Sequence, residues 1–372
     1  MFFSIGHSHK SNFPCHWQLG NLSVSTDQGW ALTTDGTVTR LSKGYAVDGV
    51  LTAGADGNFC VFEYNGNQTH IYSSQYRSFP IYYDSTEITN LRLLTNTAWT
   101  DRAVTVAQDL TVTEHKFNAI GQFDQSEISH SAAVDAIDHI LRSRTEKFLS
   151  HNTLPIKAFV SGGVDSLLVY SYLHKLGADV ELVNYLHTDL DWFYTHNHHD
   201  LKQFWGYTQI HHWRDPCVLT SGAPGDEFML RSPVTANWYL HHHGTNIPDL
   251  VKQTPDCLHA QYFALPKHQK LFDQPQPKFD KTWQLNWHLC NTVLNDWQHW
   301  HLGNTLTWTP LRDLEIFKLF LRLPLASTQA QILNSSVSIE LIERNAPGLS
   351  SVISDQKNSG NYMSNLHRLL KF

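Results

Sequence analysis

The segment Ile156–Ser166 has the sequence IKAFVSGGVDS, and it decides the fold of the second half of the chain. A run rich in apolar residues leads into a glycine turn, and apolar residues then recur at helical spacing from Leu167 to Leu176, where Gly177 ends the pattern. A second apolar run follows at Val180–Leu186. Strand, glycine turn, helix and strand in this order form a βαβ unit, so we expect an α/β fold with a parallel sheet.

The glycine turn at residues 161–166 has the composition of a phosphate-binding loop. Its two glycines, Gly162 and Gly163, let the backbone pass close to phosphates, and the N–H groups of the turn and of the first helical turn are donors. Ser161 and Ser166 add hydroxyl donors. The Asp165 carboxylate would repel a phosphate unless it holds Mg²⁺, which bridges carboxylate and phosphate oxygens. The alternative is a tight turn in which Asp165 merely favours the helix N-terminus.

Residues 1–125 have a different pattern, which predicts a β-rich domain, and the chain from 126 to 372 forms the second domain. Asx-Gly pairs separate the short strand-forming runs and favour hairpins, because their turns need positive φ. The runs are Trp30–Thr34, Phe59–Tyr64, His70–Ser74 and Ile81–Tyr83, and the pairs are Asp35-Gly36, Asp56-Gly57 and Asn65-Gly66. Ser126 or Ser129 can cap the first helix, Cys217–Thr220 predicts a further strand, and residues 280–325 have a helical pattern.

Composition restricts the classes of partner. The formal net charge of −7 over 372 residues gives no overall basic character to offset phosphate backbones, which disfavours a nucleic-acid partner, although a local basic patch is the alternative. No apolar stretch approaches the roughly 18 residues of a membrane helix, and the N-terminus does not resemble a secretory signal, so we expect a cytoplasmic protein. The five cysteines contain no CxxC pair, and the clustered histidines fit surface loops better than a metal site, although metal ligation is the alternative.

The hexapeptide SGGVDS resembles the signature of the PP-loop ATP pyrophosphatases, whose members adenylate a substrate and release pyrophosphate. Three later segments resemble those of asparagine synthetases, in the same order along the chain. They are LTSGAPGDEF at 219–228, TPLRD at 309–313 and SDQK at 354–357. The resemblance implies an adenine nucleotide α-hydrolase-like synthetase domain that binds ATP and Mg²⁺.

The resemblance also implies roles for individual residues. Ser221 and Gly222 belong to the second nucleotide loop, Asp226 is a magnesium ligand that faces Asp165, and Lys357 neutralises pyrophosphate and the developing charge. Two carboxylates and one ammonium around a triphosphate would stabilise charge that moves onto pyrophosphate. The alternatives are an exposed loop acid for Asp226 and a solvated lysine for Lys357.

The first domain resembles a shortened glutamine amidotransferase domain of the N-terminal-nucleophile type. The similar segments are DGNFCVF at 56–62 and QYRSFPIYY at 75–83. That family needs a cysteine exposed as the first residue once methionine is removed, but this chain has Phe2. Cys15, Cys60 and Cys217 are not placed to replace it. We therefore expect an inactive domain without glutaminase activity.

Together these features predict an ATP-dependent amide-forming ligase. A small-molecule or peptide carboxylate would attack ATP to give an acyl-adenylate, and ammonia or a substrate amine would displace AMP, as in β-lactam synthetases and lasso-peptide cyclases. Ala223 stands where that family has a Glu or Tyr that positions or deprotonates the amine, so the acceptor step stays open. The aromatic-rich segment 237–301 lines either a substrate pocket or a helix interface. Alternatives are a PP-loop enzyme that modifies a base or tRNA, and a nucleotide-binding protein that has lost catalysis.

Overall fold

The structure, a computed structural model, contains three β-sheets and a set of helices. It describes residues 3–46, 49–53, 55, 57–73, 81–90, 98–100, 103–115, 126–184, 202–203, 215–223, 225–232, 236, 239–240, 243–254 and 305–353. None of the helices within these ranges is long and apolar enough to cross a membrane. The predicted domain boundary after residue 125 adjoins residues 116–125, which lie outside the described ranges.

The first part of the chain is β-rich, as predicted, with twelve strands among its described residues. These are β1 Phe3–Gly6, β2 Cys15–Leu19, β3 Leu22–Thr26, β4 Ala31–Asp35, β5 Val38–Ala46, β6 Gly57–Tyr64, β7 Gln68–Ser73, β8 Ile81–Tyr83, β9 Ile88–Thr89, β10 Ala98–Thr100, β11 Ala103–Ala107 and β12 Val112–His115. They form two six-stranded sheets, in the orders β10-β8-β9-β1-β3-β2 and β12-β11-β7-β6-β5-β4. Every pairing within these two sheets is antiparallel.

Two of the three predicted Asx-Gly pairs make tight hairpin turns. Gly36, between β4 and β5, has φ of 58°, and Gly66, between β6 and β7, has φ of 94°. The Asn65 side-chain oxygen also accepts from the backbone N–H of Asn67 and Gln68, at 3.1 and 3.0 Å. The third pair differs, because β5 and β6 pair as far as Ala46 and Gly57 and their connection spans residues 47–56.

The two antiparallel sheets share one hydrophobic core. Phe3, at the start of β1, is fully buried and meets Phe62 of β6 edge-on, with ring centroids 4.9 Å apart. Trp30 stacks on the same Phe62 ring at 5.0 Å. Because Phe3 and Phe62 belong to different sheets, these contacts show that the sheets pack face to face around apolar side chains.

The second part of the chain is built on an all-parallel sheet. Its elements are α1 His130–His151, β13 Ile156–Val160, α2 Val164–Lys175, β14 Val180–Asn184, β15 Lys202–Gln203, β16 Cys217–Thr220, α3 Gly225–Phe228, α4 Ile247–Gln253, β17 Thr305–Trp308, α5 Leu314–Leu321, α6 Leu325–Asn334, α7 Ser336–Asn345 and a 3₁₀ turn at Leu349–Val352. The sheet order is β15-β14-β13-β16-β17. The predicted βαβ unit is confirmed, since β13 and β14 pair in parallel and α2 connects them.

Packing and capping explain where these helices lie. Ser129 is the N-cap of α1, and its hydroxyl accepts from the Ala132 N–H at 3.2 Å. The buried side of α1 joins one continuous core with α2, the sheet and the three C-terminal helices. The fully buried residues of α1 include Val134, Ile137 and Leu141.

One part of the predicted helical pattern is wrong. Within the segment 280–325, residues 280–304 lie outside the described ranges, and Thr305–Trp308 forms the edge strand β17. This strand pairs with β16, and Trp308 is buried against Phe148 of α1, with ring centroids 4.0 Å apart. Burial on the sheet edge therefore overrides the weak helical spacing of a four-residue segment. The helix begins only at Leu314.

Candidate functional site

Two glycine loops leave the same edge of the parallel sheet. Strands β13 and β16 are neighbours, paired in parallel from Ile156 with Val218 to Ala158 with Thr220. The first loop, residues 161–163, therefore begins beside the second loop, residues 221–225. In open α/β sheets this carboxyl edge of the strands is where ligands bind.

The first loop is closed by its own serines. The Ser161 N–H donates to the Ser166 hydroxyl at 3.1 Å, and the two hydroxyl oxygens are also 3.1 Å apart. The Ser166 hydroxyl donates to the Gly163 carbonyl at 2.9 Å, and the Gly163 N–H donates to the Ser161 hydroxyl at 3.2 Å. Both hydroxyls thus shape the loop, whereas the sequence predicted them mainly as phosphate donors. Gly162, with φ of 82°, needs the freedom of glycine at this turn.

The N-terminus of α2 opens directly from this loop. Gly163 is its N-cap and carries no side chain that could accept from the first-turn N–H groups. These N–H groups and the positive end of the helix dipole favour an anion beside residues 163–166. The helix itself is apolar and almost wholly buried, with Leu167, Leu168 and Leu173 in the core, so the loop is held on a rigid support.

Close packing joins the second loop to the first. A Cβ atom at Gly222 would overlap the backbone of Asp165 and Ser166 and would lie 2.6 Å from the Asp165 Cβ. A Cβ atom at Gly225 would lie 2.6 Å from the Asp165 carboxyl carbon and 2.7 Å from the Leu311 Cδ1. Neither glycine has a positive φ, so space alone requires glycine at both positions. The two predicted loops therefore form one structure.

An arginine links the two predicted magnesium ligands. The guanidinium of Arg231 contacts the Asp165 carboxylate through Nη1, and its Nη2 lies 3.1 Å from Asp226 Oδ1. The side chain of Arg231 is 4% exposed, that of Asp165 15% and that of Asp226 45%. A buried cation thus lies between one nearly buried and one open carboxylate.

The turn after α3 brings Arg231 to this position. The N–H groups of Arg231 and Ser232 both donate to the Asp226 carbonyl, at 2.7 and 2.8 Å. The chain reverses at Leu230, which is buried and has φ of 56°. Glycine is the usual residue at such a left-handed helix end, and another residue there costs about 1–2 kcal/mol. The fold therefore keeps a strained turn that places Arg231 on the two carboxylates.

Glu227, next to Asp226, has a perturbed pKa. Burial, and secondarily the neighbouring Asp226 charge, raise the pKa of Glu227 from 4.5 to about 8. The site thus contains one carboxyl group that holds its proton near neutral pH. Neither Glu227 nor Arg231 was predicted from the sequence as a residue of the site. The only available signal was an arginine that ends the apolar run Phe228–Leu230 shortly after two acids.

The segment at 309–313 packs against the second loop and caps a helix. Leu311 is fully buried and lies against Gly225, since a Cβ atom at Gly225 would be 2.7 Å from its Cδ1. Asp313 caps α5, because its Oδ1 accepts from the N–H groups of Glu315 and Ile316 at 2.7 and 3.1 Å. Its carboxylate also pairs with Arg144 of α1. Burial raises the pKa of Asp313. This segment therefore has a packing and capping role.

The other residues predicted for the site are either buried or outside the described residues. Ser221 is buried, and its hydroxyl accepts from the Ala223 N–H at 3.4 Å. Lys357 lies outside the described residues, as do most of the clustered histidines and the tryptophans of segment 237–301. Tyr239 of that segment is buried, and its hydroxyl donates to the Leu323 carbonyl at 3.4 Å. In the described part of that segment an aromatic residue packs inside the core.

The carboxylates of Asp165 and Asp226 offer the oxygen donors that Mg²⁺ prefers in proteins. No group of three or more His, Cys, Asp or Glu side chains that could hold a metal exists among the described residues. Mg²⁺ usually takes only one or two protein carboxylates and completes its shell with substrate phosphates and water. Asp165 and Asp226 are the residues that would hold such an ion, whose charge would offset that of phosphate groups.

The cysteines of the described residues are buried or partly buried thiols. Cys60 is fully buried in β6, and burial raises the pKa of its thiol. Cys217 is also buried, and Cys15 is partly exposed. A buried thiol of raised pKa is a poor nucleophile. Phe2 lies outside the described residues.

Comparisons with known proteins give no family for this chain. No protein-family model matches it, and no curated protein matches it.

Proposed function

We propose that the chain is an ATP-dependent ligase of the asparagine synthetase-like PP-loop class, with ATP entering as its magnesium complex. The triphosphate would lie on the first glycine loop, and a substrate carboxylate would attack the α-phosphorus. The products of this half-reaction are an acyl-adenylate and pyrophosphate. An amine, either ammonia or part of the substrate, would then displace AMP and form an amide.

The observation that carries this proposal is the contact between the two glycine loops. Gly222 and Gly225 pack against Asp165 so closely that no side chain fits at either position. A turn that only connected a strand to a helix would not need a second glycine loop pressed onto its carboxylate. The pair of loops supports a site in which two carboxylates flank an anion-binding helix N-terminus.

Each residue of the site has a chemical role in this proposal. The N–H groups at the start of α2 would bind phosphate oxygens, and the Ser161–Ser166 hydrogen bonds would keep that loop rigid. Asp165 and Asp226 would orient the triphosphate through its magnesium ion. Lys357 would stabilise charge on the departing pyrophosphate. Preorganised charges of this kind usually contribute most of the lowering of the barrier.

The N-terminal sandwich would supply no ammonia in this proposal. Of the described cysteines, Cys60 and Cys217 are buried and Cys15 is only partly exposed. The amine would therefore come from solution or from the substrate. Ammonia release from glutamine by the full chain would contradict this part of the proposal.

Two observations favour a second function, that of a nucleotide-binding protein without catalysis. Arg231 pairs with both carboxylates, and Ala223 replaces the residue that handles the amine in asparagine synthetases. Such a protein would bind ATP but would not cleave it. Pyrophosphate release separates the two functions.

The test uses ATP labelled at the α-phosphate, magnesium and a panel of amino acids and short peptides. The ligase proposal predicts labelled AMP together with pyrophosphate, lost in Asp165→Asn. Asp35→Asn is the matched control, because Asp35 is an exposed carboxylate at the end of β4. Labelled ADP would contradict adenylation, and so would AMP formation that Asp165→Asn leaves unchanged.

A further inference from the structure

We propose that Arg231 is a resident cation that competes with a divalent metal ion for Asp165 and Asp226. Its guanidinium contacts one carboxylate through each terminal nitrogen. A magnesium ion that used both carboxylates would share them with the guanidinium, whose positive charge opposes a second cation at the same pair. The inference rests on the proposed function, because it concerns how the nucleotide site would acquire its metal. Its test needs only this carboxylate pair.

The position of Arg231 is built into the fold. Its backbone N–H is fixed on the Asp226 carbonyl at 2.7 Å, and the preceding residue, Leu230, keeps a left-handed conformation. Strained backbone of this kind persists only where the surroundings determine it, and it is concentrated at functional sites. The 4% exposure of the Arg231 side chain shows that the guanidinium is enclosed by protein.

The charges of the three side chains determine how strongly the carboxylate pair binds a divalent ion. Asp165 and Asp226 carry two negative charges, and the guanidinium neutralises one of them. A neutral residue at position 231 would leave both carboxylates without this cation, and the pair would attract a divalent ion more strongly. With Arg231 present, we expect a metal ion alone to bind weakly, because the guanidinium already neutralises part of the negative charge of the pair and repels a second cation.

A triphosphate changes this balance. Phosphate oxygens add ligands to the metal, and they also offer the guanidinium a new partner, since its planar fork matches phosphate as well as carboxylate. Metal and nucleotide would therefore enter together, and Arg231 would turn from the carboxylates to a phosphate oxygen. The site would admit the nucleotide–metal complex and discriminate against the free ion.

The test measures Mn²⁺ binding to the full chain without nucleotide, from the free-Mn²⁺ signal in electron paramagnetic resonance. We expect wild type to bind weakly at this pair and Arg231→Met to bind at least roughly tenfold more tightly, a change of about 1.4 kcal/mol. Adding Asp226→Asn to Arg231→Met should remove the gain. Circular dichroism establishes that each variant is folded.

The chain offers a matched control in Arg344. It also bridges two carboxylates, with Asp135 and Glu340 each at 2.7 Å, but on the exposed surface of α7. Arg344→Met should leave the Mn²⁺ affinity unchanged, because flexible solvated carboxylates do not form a preorganised pair. Arg231→Lys is a second site variant that keeps the charge without the fork, and it should give an intermediate affinity.

Two results would overturn the inference: equal Mn²⁺ affinity in wild type and both folded Arg231 variants, or a gain in Arg231→Met that survives Asp226→Asn. These results are separate from those that test the ligase. If the Mn²⁺ affinities are as expected but no AMP forms, only the proposed ligase function is contradicted. AMP formation with unchanged Mn²⁺ affinity would contradict the competition alone.

Discussion

Gly222 is the point at which the second loop of the site presses on the first, and Gly222→Ala tests how the two are held together. The added methyl group would overlap backbone atoms of Asp165 and Ser166 and lie 2.6 Å from the Asp165 Cβ. Ordinary contact begins at 3.4 Å, so the shortfall to that Cβ alone is 0.8 Å. Rotating a side chain cannot relieve it, because two of the nearest atoms are backbone at the start of α2.

The cost of this overlap follows from the packing of the site. Overpacked cores usually lose about 1–3 kcal/mol, and a clash with backbone belongs at the upper end, near 3 kcal/mol. A domain with a stability of roughly 5–15 kcal/mol would still fold, but the two loops would separate. A displacement of about 1 Å in a catalytic site can cost on the order of 100-fold in rate. Gly222→Ala should therefore reduce nucleotide binding and AMP formation much more than it reduces folding.

The assay compares urea unfolding and ATP binding in Gly222→Ala and Gly6→Ala. Gly6 is the matched control, because it also lacks a positive φ and a Cβ there would lie 3.3 Å from its nearest neighbour, the Thr86 carbonyl oxygen. That distance requires a shift of only a few tenths of an ångström. If the two variants had the same stability and the same affinity for ATP, the inferred packing of the loops would be wrong.

Two further predictions concern titratable groups. Because the pKa of Glu227 is raised from 4.5 to about 8, the folded state keeps a proton that the unfolded state loses, and this group lowers stability as pH rises through that window. Glu227→Gln should therefore stabilise the protein by about 1–3 kcal/mol at pH 9 and hardly at all below pH 4, as urea titrations at both pH values would measure; an equal gain at both would contradict it. Asp27→Asn should destabilise the sandwich by about 3–5 kcal/mol, because it breaks a pair with the buried Lys43 ammonium at 2.8 Å and weakens the acceptor of the Trp30 indole N–H. Asp35→Asn, at an exposed position, should change stability by less than about 0.5 kcal/mol, and a similar loss in both variants would refute the role of the buried pair.

Local signals predicted the parts of the fold that depend on neighbouring residues. The strands Ile156–Val160 and Cys217–Thr220 begin and end where their apolar runs do, and Gly177 follows α2. Hairpins formed at Asp35-Gly36 and Asn65-Gly66 because their turns need positive φ.

Features that depend on tertiary contacts were not predictable in the same way. Thr305–Trp308 became a strand because it pairs along the edge of β16, and its four residues are too short a pattern to indicate this on their own. The position of Arg231 depends on the reversal at Leu230, a residue type that does not signal a left-handed turn. The raised pKa of Glu227 likewise depends on burial beside Asp226. The site could therefore be predicted as two loops and two carboxylates, but not as a carboxylate pair with its own cation.

The most direct test of the central claim is equilibrium dialysis of ATP with magnesium against wild type, Gly222→Ala and Gly6→Ala. We expect saturable binding of one ATP per chain to wild type, within the roughly micromolar-to-millimolar range of enzyme substrates. Gly6→Ala should keep that binding and Gly222→Ala should lose it. Absence of saturable ATP binding by the folded wild-type chain would contradict a nucleotide site at the two loops.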